Sequence, residues 1–137
     1  MPCPSVVRVA KASDRQEVWR LFLQSHRENG QFALAPEKVD WLMNRALSPE
    51  LIPDWDTAPR GVIAVIGKPG VLEGLALMMI DTYWYTNEKH LGEYLVYVDP
   101  EQRKSKHARA LVEWMKHQSD LTGLPLLTGI ISNERTE

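Results

Sequence analysis

The chain has 137 residues, 44% of them hydrophobic and 25% charged, with 16 basic against 18 acidic side chains and a formal net charge of −2. That size and balance describe one globular domain with a single hydrophobic core. The slight acidity argues against a dedicated nucleic-acid binder, and no apolar run reaches the ~20 residues of a membrane span.

The N-terminus lacks the apolar stretch of a secretory signal, so a cytoplasmic location is expected. Cys3, the lone cysteine, has no partner for an intramolecular disulfide and reads as an incidental thiol. Val6–Ala10 is predicted as a short first strand. Ser13 or Asp14 then N-caps a helix, with Glu17 placed to extend the cap. Val18, Trp19, Leu21, Phe22 and Leu23 form its apolar face, and Gly30 ends it. A second helix is predicted from Pro36, a residue suited to the first turn, with Val39, Leu42, Met43 and Ala46 on one side.

Residues 48–60, with Pro49, Pro53 and Pro59, read as an irregular loop. Gly61–Gly67 is a buried strand by composition. Lys68-Pro69-Gly70 turns the chain into a second strand, Val71–Thr82, whose continuous apolar run calls for cover on both faces. Tyr83–His90 leads into a strand at Leu91–Val98. A helix after Pro100 is predicted to run to about Thr122, because Ala108, Leu111, Val112, Met115 and Leu121 recur at helical spacing and Gly123 stops it. Leu126–Ile131 is predicted as a strand parallel to 91–98 in a right-handed βαβ unit, the rest of the sheet being antiparallel. The fold class is therefore a mixed α/β (α+β) single domain over residues 1–137.

The most telling segment is V-D-P-E-Q-R-K-S-K-H-A-R-A-L, Val98 to Leu111. A strand ends at a proline, a basic loop follows, and a helix begins. Such a turn presents backbone N–H groups at a helix N-terminus, where the macrodipole favours an anion. Arg103, Lys104, Lys106 and Arg109 add four cations. The pattern points to a phosphate-bearing ligand.

Together with the order of elements, this segment resembles the GNAT superfamily of N-acetyltransferases, whose members bind acetyl-CoA through V-x-P-x-x-R-x-x-G-x-G/A after the fourth strand. The matching residues are Val98, Pro100, Arg103 and Ala108, with Leu111 one turn on. The family's first glycine falls on Lys106. The R-x-S-x-x-A form at Arg103, Ser105 and Ala108 looks like a variant of phage-type members, which implies a bacterial cell or a phage-infected host. The resemblance implies an acyl-CoA N-acyltransferase fold with acetyl-CoA as cosubstrate. It further implies that Arg103, Lys104, Ser105, Lys106, His107 and Ala108 hold the pyrophosphate, mainly by backbone. Val96, Tyr97 and Val98 would pair with the pantetheine arm like an added strand, and a backbone N–H there would polarise the acetyl carbonyl.

The implied reaction is direct attack of an amine on the thioester. Glu93 is the candidate base, a carboxylate whose partial desolvation would raise its pKa. The alternative for Glu93 is a solvated or salt-bridged strand carboxylate. Tyr97 and Tyr94 would order a water or donate a proton, or else simply pack. The family usually continues past the fifth strand with a helix that carries a tyrosine acid and with two closing strands. Here such a helix begins at Asn133 and the sequence given ends at Glu137. An uncovered fifth-strand edge would then favour a homodimer.

Histidines 26, 90, 107 and 117 show no metal-ligand spacing, so no metal site is expected; His107 reads as a surface imidazole within reach of phosphate. Neither G-x-S-x-G nor a Walker motif occurs. Trp55 and Tyr83-Trp84-Tyr85 either line an acceptor pocket or cover the end of the core, and Trp114 packs beside the long helix's apolar stripe. The acceptor is expected to be a small-molecule or peptide amine, with no nucleic acid or membrane as partner. The alternative is a non-catalytic CoA-binding or interaction module of the same fold.

Overall fold

A computed structural model describes residues 6–47 and 60–128; Cys3, Trp55 and the predicted helix start at Asn133 lie outside them. The elements in chain order are β1 (Val7–Val9), α1 (Arg15–Asn29), α2 (Pro36–Ala46), β2 (Arg60–Lys68), β3 (Val71–Thr82), β4 (Lys89–Val98), α3 (His107–Thr122) and β5 (Leu126–Leu127). The five strands form one sheet in the order β1-β2-β3-β4-β5. Neighbours are antiparallel except β4 and β5, which run parallel. Among the described residues that parallel pairing spans Leu91↔Leu126 and Gly92↔Leu127.

Helices cover both faces of the sheet. Alternate residues of β2 and β3, including Ile63, Val65, Leu75 and Leu77, pack with Val18 and Leu21 of α1 and Met43 of α2. The intervening residues, including Ala64, Ile66, Ala76 and Met78, pack with Leu111 and Met115 of α3. β3 is consequently buried without a break from Gly74 to Ile80, as its uninterrupted apolar composition predicts. α3 ends at Gly123 in the left-handed conformation (φ 74°), which glycine adopts without steric cost.

The start of α1 departs from expectation. Asp14 does occupy the N-cap position, but its carboxylate makes no cap bond to the helix. It takes both Arg8 guanidinium nitrogens at 2.8 and 2.9 Å and the Lys11 N–H at 2.8 Å. A bidentate charged donor outcompetes a neutral N–H. Glu17 likewise turns away from the cap, accepting from the Leu72 N–H at 3.0 Å and from Arg20.

The Arg8 hydrogen bonds hold the buried Asp14 carboxyl below its ordinary value. A depressed folded-state pKa gives stability that is present above the unfolded value and lost as pH falls through the folded one. Asp14→Asn is therefore expected to cost ~1–3 kcal/mol at neutral pH. Its denaturant midpoint should also fall less steeply than that of wild type on acidification below about pH 4. Equal slopes in the two proteins would contradict this reading.

Two register shifts shape the sheet. Between Ile66↔Gly74 and Gly67↔Leu72 the residue Glu73 is left over in β3. Between Leu77↔Leu95 and Met78↔Glu93 the residue Tyr94 is left over in β4. A bulge residue drops out of the ladder and re-aims its neighbours, and both bulges border the candidate site.

Candidate active site

The chain leaves β4 at Val98, makes a single 3₁₀ turn over Pro100–Gln102, and enters α3 only at His107. A basic loop thus separates Pro100 from the helix, as the sequence pattern predicts, and the 3₁₀ turn is its one added feature. Asp99 organises the turn. Its Oδ1 accepts the Glu101 N–H at 3.0 Å, its Oδ2 accepts from Arg20 at 3.0 Å, and its own N–H bonds the Glu73 carbonyl at 2.8 Å.

Ser105 closes the loop internally. Its hydroxyl donates to the Gln102 carbonyl and accepts the His107 N–H. The Ser105 hydroxyl is therefore committed to the protein. The N–H groups of Lys104, Lys106, Ala108 and Arg109 have no acceptor among the described residues. They are donors gathered at an exposed helix N-terminus.

The four cations separate into two roles. Lys104, Lys106 and Arg109 are exposed and enter no ion pair among the described residues. Arg103 instead folds back, with its Nε donating to the Val98 carbonyl at 3.1 Å and its Nη2 to Glu28 at 2.7 Å. Its guanidinium also lies 5.3 Å from the Tyr97 ring centroid. Arg103 anchors the loop to α1 and β4, so its side chain is a brace rather than a free charge.

Lys106 has φ −94°, a conformation open to any residue, so the backbone there does not require glycine.

His107 is a correction. Its ring is buried, and Nε2 lies 2.6 Å from Oε1 of Glu73, the bulge residue of β3. It is not a surface imidazole. The pair pins the first turn of α3 to the sheet beneath the exposed N–H groups.

Past Gly92, the side of β4 away from β3 has no strand partner among the described residues, from Glu93 to Val98. This edge is about 17 Å long at strand rise and leads directly into the 99–106 loop. Tyr97 and Val98 have their side chains in the core, and Val96 is half-buried. Only their backbones can serve a ligand along that edge.

Tyr97 faces away from any reacting centre at Glu93. Its hydroxyl donates to Glu28 Oε2 at 2.5 Å, and its pKa is pushed up to about 12 by burial and then by that carboxylate. A phenol held so tightly is a poor proton donor to a thiolate. We assign it to positioning, with Arg103 and Glu28. Tyr97→Phe should then leave kcat within about threefold and cost ~1 kcal/mol of stability. A loss of a hundredfold or more would restore it as the acid.

Glu93 lines a cavity of about 300 Å³ on the outer part of the sheet, together with Met79, Asp81, Tyr83, His90, Gly92 and Tyr94. Leu127 and Thr128 complete its β5 side. Burial alone raises the Glu93 carboxyl above its ordinary value, the direction a base working near neutrality needs. No ion pair of Glu93 occurs among the described residues.

Of the aromatic tip, Tyr83 belongs to this wall and stacks on His90, while Trp84 is 94% exposed. Trp114 packs against the α3 side of the core, as expected. Among the described residues no cluster of three potential ligands could hold a metal ion, and no helix is long and apolar enough to cross a membrane.

No protein-family model matches the chain, and no curated protein does. Solved structures do match. A putative acetyltransferase from Arthrobacter sp. FB24 superposes with a TM-score of 0.71 at 17% identity, over 99% of this chain and 81% of that one. A ribosomal-protein-alanine N-acetyltransferase from Brucella melitensis biovar Abortus 2308 gives 0.69 at 14% identity, over 98% and 85%. AAC(6')-Iy in complex with the bisubstrate analogue CoA-S-monomethyl-acetylneamine gives 0.68 at 12%, over 98% and 84%. The chain has the acyl-CoA N-acyltransferase fold.

Proposed function

We propose that the protein is an N-acetyltransferase that moves acetyl from acetyl-CoA to an amine by direct attack. The observation that supports this most is a continuous path. Among the described residues, the edge of β4 without a strand partner runs from the half-buried Glu93 to the N–H groups and cations without partners at the start of α3. The fold, shared with solved acetyltransferases, raises the prior without deciding the chemistry.

In this reading the N–H groups of Lys104, Lys106, Ala108 and Arg109 hold the pyrophosphate, helped by the ammonium groups of Lys104 and Lys106. Ser105, Arg103 and His107 keep the loop in shape. The backbone of Val96, Tyr97 and Val98 pairs with the pantetheine arm along the strand edge. Tyr94 is left without a partner in the β3 register, and we assign its backbone N–H to the acetyl carbonyl oxygen.

Glu93 removes the proton from the bound ammonium, directly or through water. The amine nitrogen then bonds to the carbonyl carbon and gives up its second proton to solvent, the C–S bond breaks, and the thiolate takes a proton from solvent.

The test is release of free thiol when the protein meets acetyl-CoA and a panel of amines. Thiol should appear in step with acetylated amine. Coenzyme binding without thiol release from any amine would instead establish the non-catalytic module.

A further inference from the structure

We propose that the acceptor is an aliphatic amine carrying a second positive charge, bound in the slot that Gly92 leaves between His90 and Tyr94. This rests on the N-acetyltransferase reading and specifies its amine.

The shape comes from the strand register. Gly92 faces Met79 and His90 faces Asp81 across the β3–β4 pair, so these residues share one face of the sheet. A Cβ added at Gly92 would lie 3.6 Å from Tyr94 Cε1, 3.7 Å from the Met79 carbonyl oxygen and 3.8 Å from His90 Nε2. Those are ordinary contact distances. The absent side chain therefore leaves a slot with rings on two sides, of a width that a chain of methylene groups fills in van der Waals contact.

The His90 wall is fixed, because its ring stacks on Tyr83 at 4.4 Å with an interplanar angle of 16°. Leu127 bounds the slot from β5.

The ends of the cavity are acidic. Asp81 and Glu93 both line it: Asp81 shares the face of Gly92, while Glu93 pairs with Met78 beside the bulge and reaches the cavity from the strand edge, the two positions lying roughly 10 Å apart along the strand axis. Oδ1 of Asp81 accepts the Thr82 N–H at 2.7 Å, and Oδ2 has no partner among the described residues. Among the described residues no lysine or arginine lines the cavity.

An acceptor bearing a carboxylate or phosphate would meet two carboxylates and, among the described lining residues, no cation to answer it. One with an ammonium at each end of an apolar chain matches the cavity throughout. Glu93 takes the proton from the reacting amine while Asp81 holds the distal ammonium.

The experiment compares 1,5-diaminopentane with pentylamine as acceptors for wild type, Asp81→Asn and Gly92→Ala. Acetyl-CoA binding is measured by calorimetry on the same samples. Wild type should favour the diamine at least tenfold in kcat/KM, and Asp81→Asn should bring that ratio to about one. Gly92→Ala, whose methyl fits the fold, should raise KM for both amines without lowering the thermal midpoint.

Equal kcat/KM for the two amines in wild type, or a ratio unmoved by Asp81→Asn, would overturn the dicationic acceptor and leave the acetyltransferase reading standing. Bound acetyl-CoA with no thiol release from either amine would overturn the dicationic acceptor, and the acetyltransferase reading falls with it only when the wider amine panel is silent as well.

Discussion

Glu93→Gln is expected to lower kcat by about 10²–10⁴, the usual contribution of a positioned general base, while acetyl-CoA affinity stays the same. Glutamine keeps the shape of the side chain and cannot take a proton. The pH profile should change with it. A base works in its deprotonated form, and burial has raised the pKa of Glu93. The acid limb of kcat/KM in wild type should therefore lie above the ordinary carboxylate range and vanish in the variant.

Stability separates this outcome from simple damage. A carboxylate with a raised folded-state pKa destabilises the fold as pH climbs past its unfolded value. At neutral pH the glutamine variant should thus be at least as stable as wild type. Lost activity with unchanged or higher stability marks a group kept for function. A melting point lowered in parallel with activity would contradict the assignment.

The second large effect concerns the loop. Lys104→Glu with Lys106→Glu should weaken acetyl-CoA binding by about 2 kcal/mol, roughly thirtyfold in Kd, since each reversal trades attraction for repulsion beside the pyrophosphate. Both side chains are exposed and without ion-pair partners among the described residues, so folding stability should change by no more than about 0.5 kcal/mol. Raising salt should weaken wild-type binding and leave the variant's nearly constant. Arg103→Ala would be a less direct probe, because that guanidinium holds the loop through Glu28 and the Val98 carbonyl.

The strand–loop–helix segment was legible in the sequence because its signal is local: a strand, a proline, a cluster of cations and a periodic helix lie within a few dozen residues. The two-faced burial of β3 was legible for the same reason.

What escaped is long-range. Nothing in a local pattern announces that Arg103 will meet Glu28, 75 positions away, or that Asp14 will prefer Arg8 to the helix it precedes. The bulges at Glu73 and Tyr94 are register events, and a one-residue slip reverses which face a side chain takes. That is why Glu73 reaches His107.

For His107 a signal was present. It lies four residues before Leu111 and eight before Met115 on α3, the stripe that the structure buries. The slot at Gly92 was readable only in part. A glycine inside a strand marks a bulge or a close approach, but its flanking rings and facing Asp81 depend on the β3–β4 register.

The central claim is that the start of α3 and the open edge of β4 take acetyl-CoA. Calorimetric titration of the wild-type protein with acetyl-CoA tests it most directly. One-to-one saturable binding that weakens as salt is raised is expected; no heat of binding at millimolar ligand would contradict it.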